Sequence, residues 1–99
     1  MMPESRIVLA GTLDATTRDG FRAAAVKALD IAASARTPLV LDCRALDHVD
    51  NLGAAMLVAL ARTARGLATS IRLEGAPMHL RGRLELAAAI DLFDWCEGE

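Results

Sequence analysis

The chain has 99 residues, of which 54% are hydrophobic and 24% charged, and its formal net charge is −2. That length suits a single domain spanning residues 1–99 with a modest core, and that balance excludes a disordered chain. Acidic and basic residues are interspersed, so no basic stripe points to nucleic acid, and no apolar run approaches the ~20 residues of a membrane span.

Met1-Met2-Pro3-Glu4-Ser5-Arg6 lacks a basic region leading into a long apolar stretch, so no signal peptide and a cytoplasmic location are expected. Arg6-Ile7-Val8-Leu9-Ala10 is a short apolar run ending at Gly11 and reads as a strand. Asp14 is a good helix N-cap, with Asp19 as a rival. From Ala15 to about Ala35 the pattern is helical. Phe21, Ala25, Ala28, Leu29 and Ala32 share one face, with Arg18, Arg22 and Asp30 on the other side. Thr37-Pro38 ends the helix, because proline disfavours helical geometry in the residue before it.

Leu39-Val40-Leu41, bounded by Pro38 and Asp42, reads as a buried strand of the parallel kind. Residues 42–51 then read as a polar loop, and a long apolar helix is expected from about Leu52. Leu52, Met56, Ala59, Leu60, Thr63 and Leu67 make one face of it, and Leu57, Ala61, Ala64 and Ala68 a second. Gly66 weakens its last turn. Ser70-Ile71-Arg72-Leu73-Glu74 alternates polar and apolar residues, as a half-exposed strand does. Gly75-Ala76-Pro77 turns into a third helix, with Pro77 at its first position and Leu80, Leu84, Ala87 and Ala88 as its buried stripe. Ile90-Asp91-Leu92-Phe93 closes the domain, and residues 94–99 read as a short tail. Strand and helix thus alternate three times, which argues for an α/β fold with helices covering a mainly parallel sheet. An additional N-terminal edge strand or contacts with a partner would complete so small a sheet.

Two stretches carry a family resemblance. Leu39-Val40-Leu41-Asp42 through Asp50-Asn51-Leu52-Gly53, running into an apolar helix, resembles the signature of the STAS domain, in which a strand ends in Asp and Asp-Ser/Thr-x-Gly opens a helix. Ile7-Val8-Leu9-Ala10-Gly11-Thr12-Leu13-Asp14 is similar to that family's apolar strand followed by Gly-x-Leu-Asp. The resemblance, of the anti-sigma factor antagonist type, covers nearly the whole chain. It implies a small STAS-like α/β fold whose central, mainly parallel sheet of about four strands is covered by helices. It also implies a non-catalytic, SpoIIAA-like interaction domain. The expected partner is an anti-sigma factor (serine kinase) or, alternatively, the ATPase subunit of a lipid-transporting ABC complex. No cofactor and no metal are expected.

The match has one departure. Family members of the antagonist type carry a phosphorylatable Ser/Thr at the position that Asn51 holds here, and no Ser or Thr occurs anywhere from Leu39 to Arg62. Asn has no hydroxyl to accept phosphate, while it remains a good N-cap for the helix. The resemblance places partner binding on the 44–51 loop and the first turns of the following helix, at Asp47, His48, Asp50, Asn51, Leu52, Ala55 and Met56. A replacement for the lost switch would have to be a modification elsewhere, for example at Thr63 or Thr37, and the sequence does not assign one.

Other chemistries are weighed on the same residues. Asp42, Asp47, His48 and Asp50 are the one cluster of ionisable groups, and His with carboxylates is a metal-ligand set. Cys43 near His48 has the residue types of a thiol nucleophile and its base, and Asp42 and Asp50 are carboxylates of the kind that accept phosphate. The expected reading is a solvated turn whose acids favour the helix dipole, with Cys43 and Cys96 as two reduced thiols. Arg62, Arg65, His79, Arg81 and Arg83 read as solvated faces. Phe93 and Trp95 read as sheet-edge packing or as an anchor for a partner. An Ala-rich two-faced helix and a small sheet are both compatible with a homodimer.

Overall fold

Alternating burial sets the first strand. In a computed structural model that describes residues 5–96, β1 (Ser5–Leu13) buries Ser5, Leu9 and Leu13 and exposes Arg6, Val8, Ala10 and Thr12. Three further strands follow in chain order: β2 (Leu39–Val49), β3 (Ile71–Glu74) and β4 (Asp94–Cys96). They lie in the order β1-β2-β3-β4, and every pairing is parallel. Parallel neighbours need crossover connections. These are α1 (Arg18–Ala35), α2 (Asn51–Gly66) and α3 (Met78–Leu86), the last followed by a 3-10 turn at Ile90–Leu92.

Leu9, Leu41 and Leu73 from the first three strands share one apolar cluster with Leu29 of α1, Leu57 and Leu60 of α2, and Leu80 and Leu84 of α3. The outward face of the sheet carries a cluster of charged side chains beside apolar Val8 and Val40. The Arg6 guanidinium lies 2.9 Å from Glu74 and 3.6 Å from Asp42. Arg6 is on β1 and Glu74 on β3, so the side chain must cross β2. It does so beside its register partner Val40, which is fully buried although it faces away from the helices.

Four details differ from the sequence expectation. First, residues 42–49 are strand, not loop: β2 runs on to Val49. Its register with β1 slips twice, between Val8 and Ala10 and between Gly11 and Thr12. Cys43 continues the alternation of Leu39 and Leu41, and the slips then turn Leu46 and Val49 inward at a spacing of three, which hides the strand from a period-two reading. Second, α1 starts at Arg18. Asp14 folds the preceding turn instead of capping the helix: its Oδ1 accepts from the Thr16 N–H (2.9 Å) and hydroxyl (2.6 Å). Third, the expected tail is an edge strand. Residues 94–96 pair with 72–74 and supply the fourth strand from the C-terminal side, not from an additional N-terminal one. Fourth, α3 ends at Leu86. Ala87 and Ala88 are exposed, and Ala89 takes the buried place beyond a left-handed turn at Ala88 (φ 54°).

Candidate functional site

The C-terminal ends of β1 and β2 converge on the start of α2. Asp50 is the residue between strand and helix. Its backbone is extended (φ −95°, ψ −175°), and its Oδ1 accepts the Gly53 N–H at 2.8 Å. Its own N–H donates to the Leu13 carbonyl of β1 at 3.4 Å. Asp50, not Asn51, is therefore the N-cap of α2, and Asn51 is the first helical residue.

Gly53 explains the spacing of Asp50-Asn51-Leu52-Gly53. A Cβ at Gly53 would run into the Leu13 carbonyl oxygen and lie within 3.1 Å of the Leu13 side chain. The helix can approach β1 this closely only without a side chain there. The cap and the glycine together press the first turn of α2 onto the end of β1. Asn51, Leu52 and Ala55 are left facing outward, with Leu52 36% exposed.

A family model described as "Mlab, STAS domain" matches residues 3–93. The chain belongs to the STAS domain family. The solved structure of the anti-sigma factor antagonist SpoIIAA in its unphosphorylated form is similar in fold, with a TM-score of 0.63 and 16% sequence identity, covering 100% of this chain and 84% of that one. No match was found among curated protein sequences.

Within this STAS domain the expected site residues fall into two sets. Asn51, Leu52 and Ala55 share the exposed start of α2, and Asp47 and His48 are exposed at the end of β2. Asp50 is half-buried as the cap. Met56 is also half-buried and looks elsewhere: it lines an apolar groove of about 400 Å³ between α1 and α2, with Phe21, Leu29, Leu60 and Leu67. The α2 face that runs through Leu57, Ala61 and Ala64 is buried in the core, and Leu60 of the other face joins it.

Sequence reasoning missed one participant. Arg83 of α3, read as part of a solvated face, donates from a guanidinium nitrogen to the Asn51 side-chain oxygen. The two residues are 32 positions apart, and no local pattern links them. The β1–α1 turn also belongs to this end of the molecule. Thr12 pairs with His48 in the sheet. Asp14 is held below the usual carboxylate range, first by the Thr16 hydroxyl and backbone, with a smaller contribution from His48.

The residues weighed for other chemistries are held by their immediate neighbours. Asp42 is engaged by Arg44, whose Nε and terminal nitrogen lie 3.0 and 2.7 Å from its two oxygens, and its carboxyl is pulled down to about 2, mainly by those bonds. Burial, reinforced by the Asp42 charge, pushes the Cys43 thiol up to about 12, so it is a protonated thiol at neutral pH. Its Sγ lies 3.6 Å from the Leu41 carbonyl oxygen. Among the described residues, no three His, Cys, Asp or Glu side chains are gathered as a metal site. None of the described helices is long and apolar enough to cross a membrane.

Proposed function

We propose that residues 1–99 form a single, non-catalytic STAS domain that binds a protein partner through the end of β2 and the first turns of α2, in the manner of an anti-sigma factor antagonist. The observation that carries this reading is the outward presentation of Asn51, Leu52 and Ala55 on a helix start fixed by Asp50 and Gly53. A rigid, pre-ordered patch loses little entropy on binding. Asp47 and His48 border it, and Met56 extends it toward the α1–α2 groove. Asn51 stands where the family's phosphorylated hydroxyl would be, so the surface is constitutively in its unmodified state. Phosphate there would add about two negative charges, and this chain has no group at 51 or 52 to accept it.

That same lack favours a second reading. A permanent subunit needs no switch, which suits the STAS component of a lipid-transporting ABC complex with the ATPase subunit as partner.

The test is affinity capture by the tagged protein from lysate of its source cells, beside the Leu52→Arg and Asn51→Asp variants. The expected result is recovery of an anti-sigma kinase or an ABC ATPase subunit, lost with both variants. Asn51→Asp keeps a side-chain oxygen for Arg83 and places an acid at a helix N-terminus, so its fold is retained while a charge enters the patch. A partner indifferent to both variants would remove this surface from consideration.

A further inference from the structure

β1 is an edge strand. Among the described residues it pairs with β2 alone, so along its other side every second residue leaves a backbone N–H and C=O without a strand partner. Natural edge strands are blunted by shortness, proline, lysine or a bulge. β1 is nine residues long, and Ile7-Val8-Leu9-Ala10-Gly11-Thr12-Leu13 carries no charge and no proline. Its one charged side chain, Arg6, is drawn across the sheet to Glu74. The extra residues at the two register slips belong to β2: Cys43 and Arg44 stand against Leu9, and Asp47 has no counterpart. β1 itself is regular from Ser5 to Ala10, and Gly11, at φ 74°, breaks its line only beyond that.

A groove of about 400 Å³ follows this edge. Inward-facing Ile7 and Leu9, outward-facing Val8 and Ala10, and Gly20 and Ala24 of α1 all line it, and no charged side chain stands in its walls. No atom lies within 4 Å of the place a Gly20 Cβ would occupy. Ile31, seven residues on from Ala24, continues the same flank of α1 and is 49% exposed, while Lys27 falls on the solvent side of that flank. An open backbone edge beneath small side chains takes an extended chain, which pairs with the free N–H and C=O groups and sets alternate side chains inward. Uncharged walls select an uncharged strand.

β1 is such a strand, and it is open along the same edge. A second copy therefore meets the first as its own complement about a two-fold axis. With the axis at Val8, antiparallel pairing sets Val8 against Val8 of the second copy, Ile7 against Leu9, and Arg6 against Ala10. Directly opposed residues share a face of the sheet. The outward row then closes over Val8, which is 62% exposed, and the inward row joins half-buried Ile7 to the core residue Leu9. Opposed β-branched side chains stabilise a sheet, and no charge on the strand meets its like.

We infer that this chain forms a two-fold dimer by antiparallel pairing of β1 with β1 of a second copy, centred on Val8, which joins two four-stranded sheets into one. The inference stands apart from the reading of α2 as a partner surface.

The test is sedimentation velocity of the purified protein from micromolar to millimolar concentration, beside Val8→Lys and Leu52→Arg, together with oxidative cross-linking of Val8→Cys in a Cys96→Ser background. The expected result is a concentration-dependent dimer whose dissociation constant rises at least about tenfold with Val8→Lys and is unchanged by Leu52→Arg. Val8 points away from the core, so Val8→Lys keeps the wild-type circular dichroism and thermal midpoint. Opposed Cα atoms in an antiparallel pair are about 4.5–5.5 Å apart, within the reach of a disulfide, so Val8→Cys gives a cross-linked dimer. Thr12→Cys in the same background, on the same face of the strand, does not, because the two-fold axis separates its copies by eight residues, about 26 Å. A monomer at every concentration would leave the edge to a strand of another protein and overturn the inference. A dimer indifferent to Val8→Lys, a dimer lost with Leu52→Arg, or equal cross-linking of the two cysteine variants would overturn it as well. No partner protein is present in these measurements, so their outcome and that of capture at α2 are read separately.

Discussion

Asp50 and Asn51 are equally good caps by residue type, and the structure gives them different work. Asp50 accepts the Gly53 N–H, while Asn51 turns outward to Arg83. Asp50→Ala should therefore lower stability by about 1 kcal/mol, the usual worth of an N-cap, and Asn51→Ala by no more than about 0.5 kcal/mol. Urea unfolding of the two variants separates them, and equal losses would return the cap to Asn51. Cys43 poses a similar question of environment against residue type. Its buried thiol, pushed up to about 12, should not react with a thiol reagent in the native protein at neutral pH, whereas exposed Cys96 should. Dithionitrobenzoate should count one fast thiol in the folded protein and two after unfolding. A second fast thiol in the native state would mean that β2 opens around Cys43.

The elements were legible where one period held throughout. The face of α1 formed by Ala25, Leu29 and Ala32, and the alternation of Ile71 and Leu73 in β3, are buried as their spacing implies. The second half of β2 was not legible, because two register slips change which residues face inward, and a slip depends on the neighbouring strand. Reading 42–51 as a loop followed directly from that. The start of α2 was half legible. Asp-x-x-Gly marks a capped helix, but the need for glycine comes from the Leu13 carbonyl, 40 positions away by sequence number (53 − 13). Gly53→Ala should cost about 1–3 kcal/mol by overpacking a backbone contact, despite the better helix propensity of alanine. A neutral or stabilising outcome in thermal unfolding would show that α2 is not seated on β1 as described.

The outward face of the sheet carries a pH dependence. The Asp42 carboxyl falls from an ordinary 3.8 to about 2 in the folded protein, through Arg44 first and Arg6 least. A depressed carboxyl pKa stabilises the fold above its unfolded value, and that contribution fades as pH drops from about 4 toward 2. Asp42→Asn should thus be less stable than wild type at pH 7, with the gap closing over this acid window. Denaturant midpoints measured across pH 7 to 2 check it; parallel curves would mean that Asp42 has the same affinity for its proton in both states.

For the molecule as a whole, the alternation of strands and helices announced a parallel α/β fold, and the family resemblance followed from motif order. What did not show in the sequence was the closing strand. Asp94-Trp95-Cys96 is too short for periodicity, and its place is set by long-range contacts. Phe93 is buried in the core, the Trp95 ring meets it edge-on at 6.2 Å and 70°, the indole N–H donates to the Ile90 carbonyl at 2.8 Å, and the Gly75 N–H donates to the Cys96 carbonyl at 3.0 Å. These contacts fasten β4 to the same core that the three helices share. Its undocking should therefore coincide with global unfolding rather than precede it. Trp95 is the sole tryptophan and there is no tyrosine, so intrinsic fluorescence reports β4 while far-ultraviolet circular dichroism reports mainly the helices. The two urea transitions should share one midpoint, as two-state unfolding requires. Phe93→Ala should lower both together, by about 3 kcal/mol, through loss of a buried ring. A fluorescence midpoint at lower urea than the dichroism midpoint would make β4 a separately opening flap. In that case Arg81, which rests on the Trp95 ring, would change its setting whenever the flap opened.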